Sequence, residues 1–349
     1  MTQDAPLRHA IEQLSQGRSL TAEAAAAAFG VVMAGEATSV QTAALLMGLR
    51  AKGETADEVA GAAQALRQAM VRLDATHDGL VDTCGTGGGR VGTLNISTAA
   101  AFIVAGAGVP VAKHGNRSYT SRSGSADVLE ALGVDIGLPP ARAAEVLREI
   151  GLVFLFAPTY HPAMRHAGPV RKELGVATIM NLLGPLANPA GVRRQVIGVG
   201  SEDRAPLVAA ALARLGTAHA LVVYAEVGMD EVCPCGLTKA WEIRDGAVTE
   251  WQVDPAALGL ECDQLDDLAG GEPEENARRV EQLLDGGGAP AERCAVLLNA
   301  AAALYVSGRG WTLPGAVSQA RASLESGAAL RALTALRMAA PAAERQAAR

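Results

Sequence analysis

Through roughly the first 70 residues, apolar positions recur at helical spacing in runs rich in Ala, Leu and Met. Thr21, Ser39 and Thr55 are placed to cap three of these helices, and Thr55 with Glu58 forms the Ser/Thr-x-x-Glu box that satisfies a helix start reciprocally. Lys52-Gly53 closes the third helix. From Leu80 onward, short apolar runs, glycine-rich turns and helical stretches alternate. Val153–Ala157, Val196–Val199 and Ala220–Ala225 read as buried strands, with Ala205–Leu215 as a helix between two of them. The pattern predicts a small all-helical domain followed by a larger α/β domain with a mostly parallel sheet.

Between Pro158 and Pro189 the alternation breaks into a Pro- and Asn-rich stretch around one helical segment, Ala163–Leu174. Such an interruption reads as a crossing back to the helical domain. The expected division is residues 1–73 with a returning segment at about 161–190 as the helical domain, and 74–160 with 191–338 as the α/β domain. A cleft is expected between the two. Residues 339–349 read as a frayed tail, and no internal repeat is found.

Composition narrows the function classes. With 30 basic against 37 acidic side chains, a formal charge of -7 and 3% aromatic residues in 349, the chain lacks the clustered cations and stacking rings of a nucleic-acid surface. The five cysteines, Cys84, Cys233, Cys235, Cys262 and Cys294, are odd in number and scattered, as reduced thiols are. Cys233-Pro-Cys235 is the one close pair, with no second pair at zinc-site spacing. The start, MTQDAPLRHA, does not read as a signal peptide, and the longest apolar stretch, Ala99–Ala112, is too short to span a bilayer. A soluble cytoplasmic protein without a membrane partner is expected.

Four segments carry chemistry. Gly85-Thr86-Gly87-Gly88-Gly89 follows the apolar Leu80-Val81 and precedes Thr93, Asn95, Ser97 and Thr98, which open a helical run. Glycines let backbone amides converge on an anion, and a helix start adds partial positive charge, so the segment reads as a phosphate cradle or, more blandly, as a capped flexible turn. It is neither a Walker loop nor a dinucleotide fingerprint. Lys113-His114-Gly115-Asn116-Arg117 and Ser121-Arg122-Ser123-Gly124-Ser125-Ala126-Asp127 suit a second set of phosphate contacts, and alone would pass for a solvated loop. Asp230-Glu231, just past a strand end, suits Mg²⁺, which takes a few protein oxygens plus substrate phosphates. His161-Pro162-Ala163-Met164-Arg165-His166 leads to Arg171, placed to grip a carboxylate.

Together the segments resemble the anthranilate phosphoribosyltransferase family. The matching stretches are DTCGTGGGRVGTLNIST, VPVAKHGNRSYTSRSGSADVLEALGV, APTYHPAMRHAGPVRKELGVATIMNLLGPLANPAG, Asp230-Glu231, GGEPEENAR and LLNAAAALYVSG, in family order across residues 7–336. The resemblance implies a nucleoside phosphorylase/phosphoribosyltransferase-like fold, a homodimer joined through its helical domains, and transfer of phosphoribosyl from PRPP to anthranilate in tryptophan synthesis. By position, it implies that Gly85, Gly88, Thr93, Asn95, Ser97, Thr98, Lys113 and Ser125 hold PRPP, and that Ser97, Asp230 and Glu231 ligate Mg²⁺. Asn116 and Arg171 would bind anthranilate beside Gly85, with His114 and Pro158 along its path; Lys113, Arg171 and Asn116 would be the catalytic set.

Two departures stand out. Gly89 followed by Arg90 replaces the Asp that usually ends the family's glycine loop, and VCPCGLTKAWEI after Asp230-Glu231 lacks the expected Ser/Thr-rich form. Competing expectations are a pyrimidine nucleoside phosphorylase-like enzyme, a non-catalytic nucleic-acid-binding relative, and the same transfer to another aminobenzoate.

Overall fold

A computed structural model describes residues 4–74, 77, 79–118 and 122–342. Ser121 and residues 343–349 of the expected tail lie outside the described residues. The chain opens with α1 (Ala5–Ser15), α2 (Ala22–Ala34), α3 (Ser39–Lys52) and α4 (Ala56–Ala69). Thr21 caps α2 by accepting the Ala24 amide, and the Thr55/Glu58 box starts α4. Gly53 ends α3. The cap of α3, however, is Thr38 rather than Ser39: its hydroxyl accepts the Gln41 amide at 3.2 Å while Gln41 Oε1 accepts the Thr38 amide at 2.9 Å. Ser39 is already the first helical residue, so the reciprocal partner three residues on decides the start.

After the helices come β1 (Val81–Asp82), α5 (Ile96–Gly106), β2 (Val111–Gly115), α6 (Ser125–Ala131), α7 (Pro140–Ile150) and β3 (Leu152–Phe156). Then follow α8 (Ala157–Tyr160), a 3₁₀ segment at Pro162–His166, α9 (Gly168–Leu174) and α10 (Met180–Leu186). The single helix expected over Ala163–Leu174 is therefore two pieces. Gly168 and Pro169 fall at the join, and Pro169 can donate no backbone bond that would carry one helix into the next.

The chain continues with β4 (Arg194–Gly198), α11 (Ala205–Arg214), β5 (His219–Ala225), β6 (Thr238–Arg244), β7 (Ala247–Val253), α12 (Pro273–Leu284), α13 (Pro290–Val306), α14 (Leu313–Glu325) and α15 (Ala328–Ala339). Past α15, residues read as tail are tied down as far as the structure describes them. The Asp135 amide donates to Ala340 O at 2.8 Å, and the Ala342 amide to Gly133 O at 3.0 Å.

The sheet runs β3-β2-β1-β4-β5-β6-β7, with β3 to β5 parallel and β6 and β7 antiparallel. Both faces are covered, and β5 shows the two-residue period directly. Leu221, Val223 and Ala225 join the core under α5 and α13, while Ala220 and Val222 join the core shared with α2, α4 and α11. The second core also takes Ala163, Val170, Ile179 and Leu183 from the 161–190 segment. Arg204 pairs with Glu54 at 2.7 Å across the same boundary. Among the described residues no helix is long and apolar enough to cross a membrane.

Strand order fixes where a ligand can lie. The chain passes from β1 to β2 and β3 on one side, then returns to β4 on the other, so β1 sits at the reversal with β2 and β4 flanking it. A crevice opens outside the C-terminal ends of strands at such a switch. The glycine loop leaves β1 into that crevice.

Candidate active site

Backbone packs on backbone where the loops after β1, β4 and β5 meet. A Cβ on Gly198 would lie 1.6 Å from Asp230 O, and the Thr86 amide donates to Gly198 O at 2.8 Å. Any other residue at 198 would push the acidic loop off the glycine loop. Gly88, at φ +88°, turns the loop back in a conformation that L side chains rarely adopt.

Lys113, on β2, is 4% exposed and spends its ammonium at this junction. Its Nζ donates to Thr83 O at 2.7 Å, to Thr83 Oγ1 at 3.3 Å and to Ser97 Oγ at 3.3 Å. Ser97, in the first turn of α5, in turn donates its amide to Glu231 Oε1 at 3.2 Å. One serine thus links the ammonium to the acidic pair. Burial, and then the neighbouring Asp230, push the Glu231 carboxyl up to about 8; Asp230 is also raised by burial. A raised, crowded carboxylate pair beside a hydroxyl is an all-oxygen donor set that a small hard cation would relieve. Thr83, Gly85, Ser97, Gly198 and Glu231 line a small cavity together with Asn299.

Behind this junction lies a buried polar latch. Asp82 accepts the His114 amide at 3.1 Å and Asn188 Nδ2 at 2.8 Å, and the same Asn188 amide group reaches Ala112 O. Burial raises the Asp82 carboxyl to about 6, with Lys113 opposing. The latch joins β1, β2 and the chain returning from α10. A second polar set holds the start of α5: Asn95 Nδ2 donates to Ser123 O, while Asn95 Oδ1 accepts Ser123 Oγ at 3.1 Å and Asn276 Nδ2 at 3.0 Å. Thr93 bridges to Ala269 nearby. Thr98 is 1% exposed, and its hydroxyl has no hydrogen-bond partner among the described residues.

Ser125 opens α6 and donates to Asn116 O at 3.3 Å, tying the start of α6 to the residue after β2. Asn116 accepts the Arg117 amide at 2.8 Å. His114 is buried, its Nδ1 on Gly184 O at 3.1 Å. A carbonyl only accepts, so Nδ1 carries the hydrogen and Nε2 is the acceptor, unpartnered among the described residues. The His161 ring lies 5.1 Å away, between centroids, and both its nitrogens lack side-chain or backbone hydrogen bonds there, as do the Tyr160 and Thr178 hydroxyls. Burial pulls His114 down to about 3 and His161 to about 4, so both are neutral near pH 7. Pro158 lies in the first turn of the adjoining α8, and Arg171 is half-buried on α9.

Lys113, Ser97, Glu231 and the glycine loop are thus brought together; Asn116 and His114 stand at the end of β2, and Arg171 on a separate element. Reasoning from sequence passed over Thr83, Asp82, Asn188, Asn276 and Gly198. Four of these five lie inside the stretches quoted for the resemblance, which was the signal available.

Two family models cover the chain: the glycosyl transferase family helical bundle domain matches residues 8–70, and the glycosyl transferase family a/b domain matches residues 77–330. An anthranilate phosphoribosyltransferase of Desulforudis audaxviator is 49% identical over 330 residues, covering 95% of each chain. The chain belongs to the anthranilate phosphoribosyltransferase family. Among solved members of the family, the Thermus thermophilus enzyme superposes with a TM-score of 0.88 at 44% identity, covering 94% of this chain and 99% of its own. The Saccharomyces cerevisiae enzyme, solved in complex with PRPP and Mg, gives 0.87 at 30% identity, with 96% and 98% covered. Family membership displaces the nucleoside phosphorylase and nucleic-acid readings.

Proposed function

We propose that this chain transfers the phosphoribosyl group of PRPP to anthranilate, giving N-(5-phosphoribosyl)anthranilate and pyrophosphate in tryptophan biosynthesis. The observation that carries the reading is Ser97, which bonds Lys113 on one side and Glu231 on the other beside the glycine loop at the sheet's switch point.

Breaking the bond from ribose C1 to pyrophosphate leaves negative charge on the departing group. The Lys113 ammonium, the amides of the Gly85–Gly89 loop and the start of α5 are preorganised to receive it, the kind of electrostatic stabilisation that dominates many enzymes. Gly85, Gly88, Thr93, Asn95, Ser97, Lys113 and Ser125 hold PRPP in this reading, and the Thr98 hydroxyl, without a hydrogen-bond partner among the described residues, supplies a further contact. Ser97, Asp230 and Glu231 would hold Mg²⁺, whose charge, when bound, neutralises pyrophosphate oxygens.

Anthranilate lies against Gly85, Asn116 and Arg171, with His114 and Pro158 lining its path and Arg171 on its carboxylate. Its aniline nitrogen is already neutral near pH 7, so positioning by Asn116 and Arg171 does most of the acceptor's share. Neutral His114 offers Nε2 as an acceptor at that end. No covalent nucleophile is needed, and burial with Asp82 nearby keeps the Cys84 thiol protonated.

Residues 1–73 and 161–190 act here as a helical domain set against 74–160 and 191–338, in a cytoplasmic homodimer joined through helical domains. Support for the last point is α3, which exposes Val40 at 80% and Met47 at 37%, seven residues apart on one face. The decisive test follows anthranilate fluorescence with PRPP and Mg²⁺ present. Consumption that needs both supports the reading; no consumption, or equal consumption of another aminobenzoate, overturns it.

A further inference from the structure

At the end of the strands opposite the transfer site, a second and larger cavity, about 700 Å³, opens among the N-terminal ends of β4 and β5 and the C-terminal end of antiparallel β6. Its volume is that of a small-molecule pocket. Arg194 and Gly198 begin and end β4, so the cavity and the glycine-loop junction stand about 13 Å apart along that strand, at roughly 3.3 Å per residue.

The chain has three Trp, four Tyr and four Phe, yet Trp251, Tyr305 and Trp311 all line this one cavity. Trp251 and Tyr305 meet edge to face, 6.4 Å between centroids, and His219 meets Tyr305 at 5.0 Å. A single carboxylate orients them. Glu242, 9% exposed, holds His219 Nε2 at 2.7 Å, accepts Tyr305 OH at 2.8 Å and accepts Trp251 Nε1 at 2.9 Å. Rings fixed in advance in this way lose little freedom when a ligand arrives.

Two guanidinium groups complete the wall. Arg194 donates to Val306 O at 2.9 Å, and its guanidinium lies over Gly308, where a Cβ would stand 2.6 Å from the guanidinium carbon. Gly308, at φ +83°, leaves the space that the cation occupies. Arg244 ends β6. Neither arginine has a carboxylate within ion-pair distance among the described residues: Glu242 is committed to the rings, and Asp245 sits exposed at the hairpin turn. Two guanidinium groups beside three aromatic rings suit the planar, bidentate geometry of a carboxylate on a ring.

We propose that this cavity is a second binding site, separate from the transfer site, for a planar aromatic carboxylate, its ring against Trp251, Trp311 and Tyr305 and its carboxylate on Arg194 and Arg244.

The test is isothermal titration of the full chain with 2-naphthoate, carried out on Arg171→Ala so that the acceptor position of the transfer site is disabled. Expected are one saturable site per chain, at least tenfold weaker binding when Arg244→Gln or Trp311→Leu is added, and at least tenfold weaker binding of uncharged 2-naphthamide. Arg244→Gln in the otherwise natural chain is expected to keep its transfer rate, which checks that the fold survives. The proposal falls if no saturable binding occurs, if the amide binds as tightly as the acid, or if both added substitutions leave binding unchanged. Saturation seen only with Arg171 present would assign the ligand to the transfer site and also overturn it. The anthranilate assay on the natural chain judges the transfer reaction independently.

Discussion

Asp230 fills the space that a side chain on Gly89 would need. A Cβ at 89 would stand 2.5 Å from Asp230 Oδ1 and 3.1 Å from the Asp230 amide nitrogen, and the Gly89 amide itself favours the charged carboxylate against its burial. The missing loop acid is thus compatible with the way this chain packs its two loops. Gly89→Asp should force one carboxylate onto another, adding like-charge repulsion to an overpacking strain of roughly 1–3 kcal/mol. The expected outcome is a PRPP KM raised about tenfold or more and a lower Tm, with Gly89→Ala giving the steric part alone. PRPP kinetics left unchanged by Gly89→Asp would contradict this.

Arg171→Ala removes a charge-assisted pair worth about 1.5–3 kcal/mol, or roughly ten- to a hundredfold in kcat/KM. The loss should fall on anthranilate and leave PRPP saturation nearly unchanged. A defect confined to PRPP would take Arg171 out of the acceptor site.

Asp230→Asn with Glu231→Gln removes both carboxylates of the acidic pair. Chelation of Mg²⁺ should abolish transfer by the natural chain, and the double variant should need far more Mg²⁺ to reach half its own maximum rate. An unaltered Mg²⁺ titration would remove the pair from the metal site.

His114 and His161 dictate a response to acid. Both are held neutral by burial, at about 3 and about 4, whereas unfolded histidine titrates near 6.5. Below that value the unfolded chain binds protons that the folded chain refuses, so stability is full above about 6.5 and falls as pH drops toward 4. Each histidine should cost about 2 kcal/mol between pH 7 and pH 5, at 1.36 kcal/mol per unit. Urea midpoints measured across that range should fall less steeply for His161→Gln than for the natural chain. Parallel slopes would show that the rings are not buried neutral groups.

What could be read in advance divides along physical lines. The caps at Thr21 and Thr55, the strand cores and the glycine turn at a strand-to-helix junction rest on neighbours a few residues apart, and periodicity exposes them. Asn276 holds Asn95 from 181 residues away, and Asn188 holds Asp82 from 106 away, pairings that no local pattern carries. The β6–β7 hairpin went unread because β7 is mostly exposed and its polar–apolar alternation is short, confined to Glu250-Trp251-Gln252-Val253. Asp245-Gly246, at φ +50° and +82°, was its only local mark. Lys113, Ser97 and Glu231 were each legible as chemistry, but their meeting depends on a strand order that sequence alone did not provide.

Val40 and Met47 offer a test of the proposed assembly. Exposed apolar side chains one heptad apart on α3 lie along one stripe, and in a homodimer joined through helical domains that stripe would leave water. Val40→Glu with Met47→Glu places two charges there, which a paired interface buries at a cost of several kcal/mol and a free surface does not feel. The double variant should therefore sediment at half the mass of the natural chain. Its far-ultraviolet circular dichroism should be unchanged, because both positions are solvent-facing within the chain and glutamate is a good helix former. A natural chain that sediments as a monomer, or a double variant that remains a dimer, would exclude α3 as the joining surface.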